Sequence, residues 1–286
     1  MEKTKGILFI ILSAISFGFM PILAKLSYIG GANTYTTLFL RFFFAAIMLF
    51  FYLKSKGISL KLARKQLFLV LIIGVFGFTF TTASLFMSYN YISIGMATMI
   101  FYTYPAIVTL LSYVIYQERI YLRKVISLII STIGIFILID RGSASFNLVG
   151  IILAGMAAIL YSLYVLGASH KEFKVVNSYV LTFYISCASA IIMFTAAITT
   201  GNYDMHISFY ALVAILLLAL ISTAVALMAF LEGVRIIGPS KASIFSTIEP
   251  IVALILGIII LREATSVRII IGSIMILTSV VILTKE

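Results

Sequence analysis

No tryptophan occurs in these 286 residues, cysteine occurs once, histidine twice and proline four times, and Asp and Glu together number nine. A lone cysteine, Cys187, excludes an intrachain disulfide framework and has no partners at metal-ligand spacing, so neither a metal nor a cofactor is expected. Charged residues make up 10% of the chain, where a soluble domain carries roughly a quarter. No Gly-rich Walker loop is present, which argues against ATP drive, and there is no HExxH and no pair of intramembrane aspartates. Gly167-Ala168-Ser169-His170 comes nearest to a nucleophile motif, and the second histidine, His206, falls on the opposite side of the expected bilayer. An enzyme is therefore not expected.

What fills the chain instead is apolar: 63% of residues, with a mean hydropathy of +1.22. A bilayer crossing takes about 20 apolar residues, and ten runs of that kind can be marked, at about 6–27, 34–53, 67–86, 93–116, 122–139, 148–168, 178–199, 207–230, 239–261 and 266–284. They are continuously apolar, so they read as helices and not as barrel strands. Little chain is left for a soluble domain. Nucleic-acid modules, cytosolic enzymes, secreted scaffolds and disordered proteins are excluded on composition. The first run, after Lys3 and Lys5, is too long for a signal peptide and is kept as a span.

The net charge of +11 lies between the runs. An even number of spans puts both termini on one side. If that side is the cytoplasm, the outer connections hold only Arg141, Arg262 and Arg268, with Lys25 and Arg41 inside spans 1 and 2 and the remaining basic residues within. This is the positive-inside pattern. The expected location is a multi-pass protein of the cell membrane.

A shift of 145 lays Ile92–Glu118 over Ile237–Glu263, matching Ala97 with Ala242, Thr98 with Ser243, Pro105 with Pro250 and Glu118 with Glu263. A shift of 144 matches Gly6 with Gly150. Two five-helix halves follow, 1–140 and 147–286. Five is odd, so the second half enters from the opposite side, giving an all-α membrane protein of two inverted repeats with a site expected near the midplane between them.

The residues that carry a family likeness can now be quoted. They are Ser16-Phe17-Gly18-Phe19 leading to Lys25, Arg41, Pro105 with Gln117-Glu118-Arg119, and Glu249-Pro250 with Leu261-Arg262-Glu263. Over nearly its whole length the chain resembles the ten-helix, EamA-like members of the drug/metabolite transporter superfamily. It departs from them at Phe17-Gly18, where the family usually carries Trp-Gly. The resemblance implies transport of amino acids and other small metabolites, most often outward, through a central cavity. Small multidrug relatives use a first-helix glutamate that this chain lacks.

Ionisable residues inside spans usually face a cavity or a partner, which singles out Arg41, Lys25 and Glu249. Arg41 can bind a substrate anion or close a gate. Lys25 can also snorkel to the interface. Glu249 stands before Pro250, where it can bind an ammonium, carry a proton or tie the kink to a neighbouring helix. Pro105 and Pro250 are the expected hinges. Thr98, Tyr102 and Pro105 share one helix face with counterparts Ser243, Thr247 and Pro250, while Ala97, Phe101 and Tyr104, with Ala242, Ser246 and Glu249, share the other. Either face can line the cavity. Phe17 with Met20, Tyr102 with Tyr104, and Tyr161 with Tyr164 are mid-span candidates for its walls, and Asn90 is a further polar candidate. Glu118 and Glu263 read as structural, beside Arg119, Arg123 and Arg268. Gly74, Gly77, Gly155, Ala158 and Gly272 read as small residues for close helix contact.

The expectation is a secondary transporter of a small organic metabolite, foremost an amino-acid exporter working by alternating access. Uptake of a choline-like cation, sugar or cofactor precursor, and a receptor that does not transport, are the alternatives. Its partners are the substrate, the bilayer and protons if transport is proton-coupled. Nucleic acid is excluded. A monomer or a homodimer fits.

Overall fold

The computed structural model describes residues 2–92, 94–138, 147–170, 172, 176–261 and 267–284. Arg141, Lys171, Lys174, Arg262, Glu263 and Lys285 lie outside the described residues.

Every regular element among the described residues is helical. In chain order the helices are α1 (Glu2–Ile29), α2 (Thr34–Ser55) and α3 (Arg64–Ser88), then α4 (Ile94–Phe101 continuing as Tyr104–Tyr116), α5 (Leu122–Leu138) and α6 (Leu148–Ala168). They continue with α7 (Ser178–Thr199) and α8 (Phe209–Ile237), α9 (Pro239–Phe245, a 3₁₀ turn Ser246–Ile248, then Glu249–Leu261) and α10 (Val267–Thr284). Seven helices among the described residues are long and apolar enough to cross a membrane, in α1, α2, α3, α6, α7, α8 and α9, and the apolar helices of α4 and α10 are shorter. Large apolar side chains such as Ile270, Ile274, Leu277 and Val281, about one turn apart on α10, are exposed. Such a stripe suits hydrocarbon and not water. The chain is a multi-pass membrane protein.

Helix starts follow local chemistry. Asn33 accepts from Thr36 N at 2.8 Å, Asn177 from Tyr179 N at 2.9 Å and Asn147 from Val149 N at 2.9 Å. Each satisfies a donor the first turn leaves open. The expected and observed boundaries agree closely except at α8. The sequence reading ends that helix near 230, at the first charge, but it runs to Ile237 because Glu232 and Arg235 pair one turn apart along its face and Ser178 Oγ donates to Glu232 at 2.8 Å. Gly238, at φ 83°, makes the sharp turn into Pro239.

The helices pair in an order that exchanges the two halves. α1 packs on α8 as α6 packs on α3, α1 touches α9 as α6 touches α4, and α2·α7, α4·α9 and α5·α10 pair with their own equivalents. Glycine permits the matched approaches. A Cβ on Gly6 would sit 2.6 Å from Ile237 at the end of α8, and one on Gly150 would sit 2.8 Å from Ile92 just past α3. A Cβ on Gly77 would meet Tyr164 Cβ at 2.7 Å and its Cα at 3.0 Å, where backbone cannot yield. Gly77→Ala should therefore cost about 1–3 kcal/mol of overpacking. A thermal melt unchanged from wild type would show that α3 and α6 separate freely. Gly155 has no such constraint, its nearest neighbour being Ile100 at 3.9 Å, so it is not a packing glycine.

Glu118 pairs with Lys124, Nζ to Oε1 at 3.0 Å, in place of the expected Arg119 or Arg123. Lys124 is buried and also donates to the Arg119 carbonyl at 3.3 Å. This corrects the partner and keeps the structural role, a brace across the α4–α5 turn.

Candidate functional site

Five helices are broken or rewound in the middle of the bundle. Proline removes the N–H that would serve the carbonyl four residues earlier, and the breaks fall accordingly. α1 turns at Phe19 before Pro21, α4 at Tyr102 and Thr103 before Pro105, and α9 passes through the 3₁₀ turn Ser246–Ile248 before Pro250. The breaks at Pro105 and Pro250 are where hinges were expected, and Pro21 adds one that the sequence reading passed over. α3 and α8 contain π-turns instead, at Ile73–Thr79 and Leu220–Val225, in matched positions of the two halves. Irregular backbone at this depth is tolerated where it lines a cavity or is buried in protein.

A cavity lies among these breaks. Its volume is about 30 Å³, room for about two waters. Phe17 and Met20 of α1, Arg41 of α2 and Phe101 of α4 line it, together with Tyr161 of α6 and Glu249 of α9. α3 supplies Phe78, Thr81, Thr82 and Leu85, which at spacings of three and four residues form one helix face. Both halves contribute. Arg41 and Glu249 are the basic and the acidic residue of the wall.

Arg41 is fully buried and forms no ion pair among the described residues. Its Nε donates to Thr223 Oγ1 at 2.7 Å, its Nη2 to the Ser222 carbonyl at 2.8 Å and its Nη1 to Met20 Sδ at 3.3 Å. The guanidinium carbon lies 5.3 Å from the Phe42 ring and 5.7 Å from that of Phe86. These contacts engage one N–H at each nitrogen, leaving a further N–H on each of Nη1 and Nη2 for a ligand. A buried charge held by neutral acceptors and rings is the arrangement in which an arriving anion gains most.

Glu249 opens the lower half of α9 and likewise forms no ion pair among the described residues. The Tyr102 hydroxyl is its neighbour, although it meets no partner with full hydrogen-bond geometry among the described residues. Thr81 and Thr82 donate to the carbonyls of Gly77 and Phe78 in their own helix, so their oxygens remain available only as acceptors. Around the lower wall the rings interlock: Tyr104 meets Tyr161 edge-on at 4.8 Å, Phe101 lies 5.3 Å from Tyr161, and Tyr161 stacks on Tyr164 at 5.7 Å.

The structure thus brings Arg41, Glu249, Phe17, Met20 and Tyr161 to one cavity. Tyr102, Tyr104 and Tyr164 are buried in the ring cluster behind it. The face of α4 and α9 that lines the cavity is the one with Phe101 and Glu249. On the other face, Ser243 donates to Ser240 at 2.8 Å and Thr247 to Ile244 at 2.7 Å, while Ser246, on the face of Glu249 but outside the wall, donates to Ala242 at 3.0 Å. These hydroxyls serve their own helix, and Thr98 also stands outside the wall. Lys25 is half-buried on α1 and Asn90 is exposed in the turn after α3, both outside the cavity. The α3 face was missed. Its signal was a run of threonines, Thr79, Thr81 and Thr82, in an otherwise apolar span, where a hydroxyl needs a partner or a cavity. Among the described residues no cluster of potential metal ligands occurs.

Comparison with known proteins agrees with this architecture. The EamA-like transporter family matches twice, over residues 4–140 and 148–285. An uncharacterized transporter of Clostridium kluyveri is 26% identical, covering 97% of this chain and 92% of its own. One from Archaeoglobus fulgidus is 27% identical, covering 97% and 95%. A solved crystal structure at 16% identity superposes with a TM-score of 0.86 over 98% of both chains, which establishes the fold. A repeat matched twice, helix pairs that exchange the halves, and a cavity where the breaks converge lead to one conclusion: the chain belongs to the EamA-like transporter family and is a membrane transporter.

Proposed function

We propose that the chain is a secondary active transporter of a small zwitterionic metabolite, foremost an amino acid. The observation that carries this reading is the pairing of Arg41 and Glu249 in one small cavity whose other walls are uncharged. A carboxylate on Arg41 and an ammonium on Glu249 would neutralise both walls at once. Neither residue forms an ion pair among the described residues, so a zwitterion bridging the two supplies the pairing that burial otherwise lacks.

Ten crossings, cytoplasmic termini and inverted halves at 1–140 and 147–286 complete the proposal. The exchanged helix pairs support the inversion, and the Lys and Arg distribution supports the orientation. The cavity is too small for an amino acid as it stands, which is what an occluded stage of alternating access would present, with Pro105 and Pro250 as the bending points. Outward flux rests on the family resemblance. If protons are coupled, Glu249 is the carrier.

The test is a thermal-stability screen of the purified protein against L-amino acids, their des-amino and decarboxylated analogues, choline, nucleobases and sugars, followed by counterflow in liposomes. A ligand at 100 times its dissociation constant adds about 2.7 kcal/mol to the folded state. Stabilisation by amino acids over both classes of analogue supports the zwitterion. Stabilisation by choline alone would favour an organic cation, for which the ring cluster and Glu249 would form the site. Binding without counterflow would leave a receptor.

A further inference from the structure

The two π-turns carry matched contacts of unequal character. In α3, Thr79 Oγ1 donates to the Gly74 carbonyl at 2.9 Å. In α8, Thr223 Oγ1 donates to the Leu218 carbonyl at 3.1 Å. Both reach five residues back, the spacing that a π-turn opens. Each threonine then meets the second helix of the opposite half. Thr79 lies 2.6 Å from Ser189 Oγ of α7, a neutral pair. Thr223 accepts from Arg41 Nε of α2 at 2.7 Å, and the neighbouring Ser222 carbonyl accepts from Arg41 Nη2 at 2.8 Å. The guanidinium that faces the cavity is therefore also bonded into the π-turn of α8.

We propose that Thr223 is a positioning residue for Arg41 and that, through it, occupancy of the cavity is passed to α8. This rests on Arg41 as the group that binds the substrate carboxylate. Bonds between a guanidinium and a carboxylate are stronger than those to a hydroxyl or a peptide carbonyl. A carboxylate that takes the free N–H groups of Nη1 and Nη2 pulls the guanidinium toward the cavity and off Thr223 and Ser222, and the π-turn loses its hold on α2. α8 carries α1 with it, because Ser222 Oγ donates to the Ser16 carbonyl and Ser13 Oγ to the Ala226 carbonyl, each at 2.8 Å. α1 lines the cavity through Phe17 and Met20. Meanwhile the Thr79–Ser189 pair, which no ligand charge competes for, keeps α3 against α7. The α1–α8 pair moves while the α3–α7 pair stays, which is the asymmetry a rocking step needs.

The experiment uses the full chain in liposomes, with the L-amino acid that most stabilises the wild type as the probe. Thr223→Val keeps the shape and removes the acceptor. Arg41 then binds the carboxylate without leaving a hydroxyl, and binding no longer drives α8, so KM and kcat should both fall on the order of ten-fold. Thr223→Ser restores the hydroxyl and should restore both. Thr79→Val, the same change in the uncoupled turn, should lower the melting temperature and leave KM in place. A Thr223→Val protein whose melting temperature and kcat fall while KM stays or rises would make Thr223 a structural residue only and overturn the proposal. If Arg41→Gln binds the probe as tightly as wild type, the carboxylate reading of the site fails as well. That failure is distinguished because it appears with Thr223 intact.

Discussion

Replacing Arg41 by alanine should reduce counterflow of the bound amino acid by at least about a hundred-fold and abolish the thermal shift it produces. A hydrogen bond to a charged group contributes about 1.5–3 kcal/mol, and a carboxylate on the free N–H groups of Nη1 and Nη2 makes two. Alanine also strips the Thr223 hydroxyl and the Ser222 carbonyl of their donor, leaving buried polar atoms that cost stability in their own right. Arg41→Gln separates the two effects. Its amide is uncharged and shorter but keeps a donor near α8, so the protein should fold with a melting temperature nearer wild type while still failing to bind. Arg41→Lys keeps the charge without the planar fork and should fall between. Wild-type counterflow in Arg41→Gln would remove Arg41 from the site.

Glu249→Gln has the second largest expected effect. The substitution keeps the shape and the contact with Tyr102 but drops the charge opposite Arg41. An ammonium left in the cavity without its carboxylate costs about 3–5 kcal/mol, so amino-acid affinity should fall by more than about a hundred-fold. The des-amino analogue, which presents only a carboxylate to Arg41, should bind the variant at least as well as it binds wild type. That crossover is the diagnostic, since a merely structural Glu249 would weaken both ligands alike. Any dependence of transport on a proton gradient should vanish in the same variant. Proton-driven flux that persists would assign the carrier to another group.

Much of the fold was legible because the bilayer imposes a length on every crossing, and charges and turn residues interrupt the runs. The runs expected to begin at 34, 148 and 178 do begin there, each behind a capping asparagine, Asn33, Asn147 and Asn177. The end of α8 was misread because Glu232 and Arg235 look like a loop until they pair along one face. Arg41 and Glu249 could be found as site candidates because a charge inside a span is costly wherever it points. Serine and threonine candidates fared less well. Their hydroxyls can bond to their own helix carbonyls, as Ser243 and Thr247 do, so a polar residue in a span need not face a cavity.

Sequence by itself determined the membrane class, the two repeats, the helix boundaries other than the end of α8, and the two charges that must be accommodated at depth, because each follows from local composition and from the cost of burying charge. Tertiary structure alone decided the rotation of each helix about its axis. In a continuously apolar span, lipid and protein interior are equally apolar, so no pattern of hydrophobicity tells one face from another. That rotation is what placed Phe101 and Glu249 in the wall and Ser243 and Thr247 out of it, and what brought the α3 threonines to the cavity. It also seated Arg41 on the π-turn of a helix more than 180 residues away in sequence, a contact that depends on packing between halves and leaves no mark in either segment.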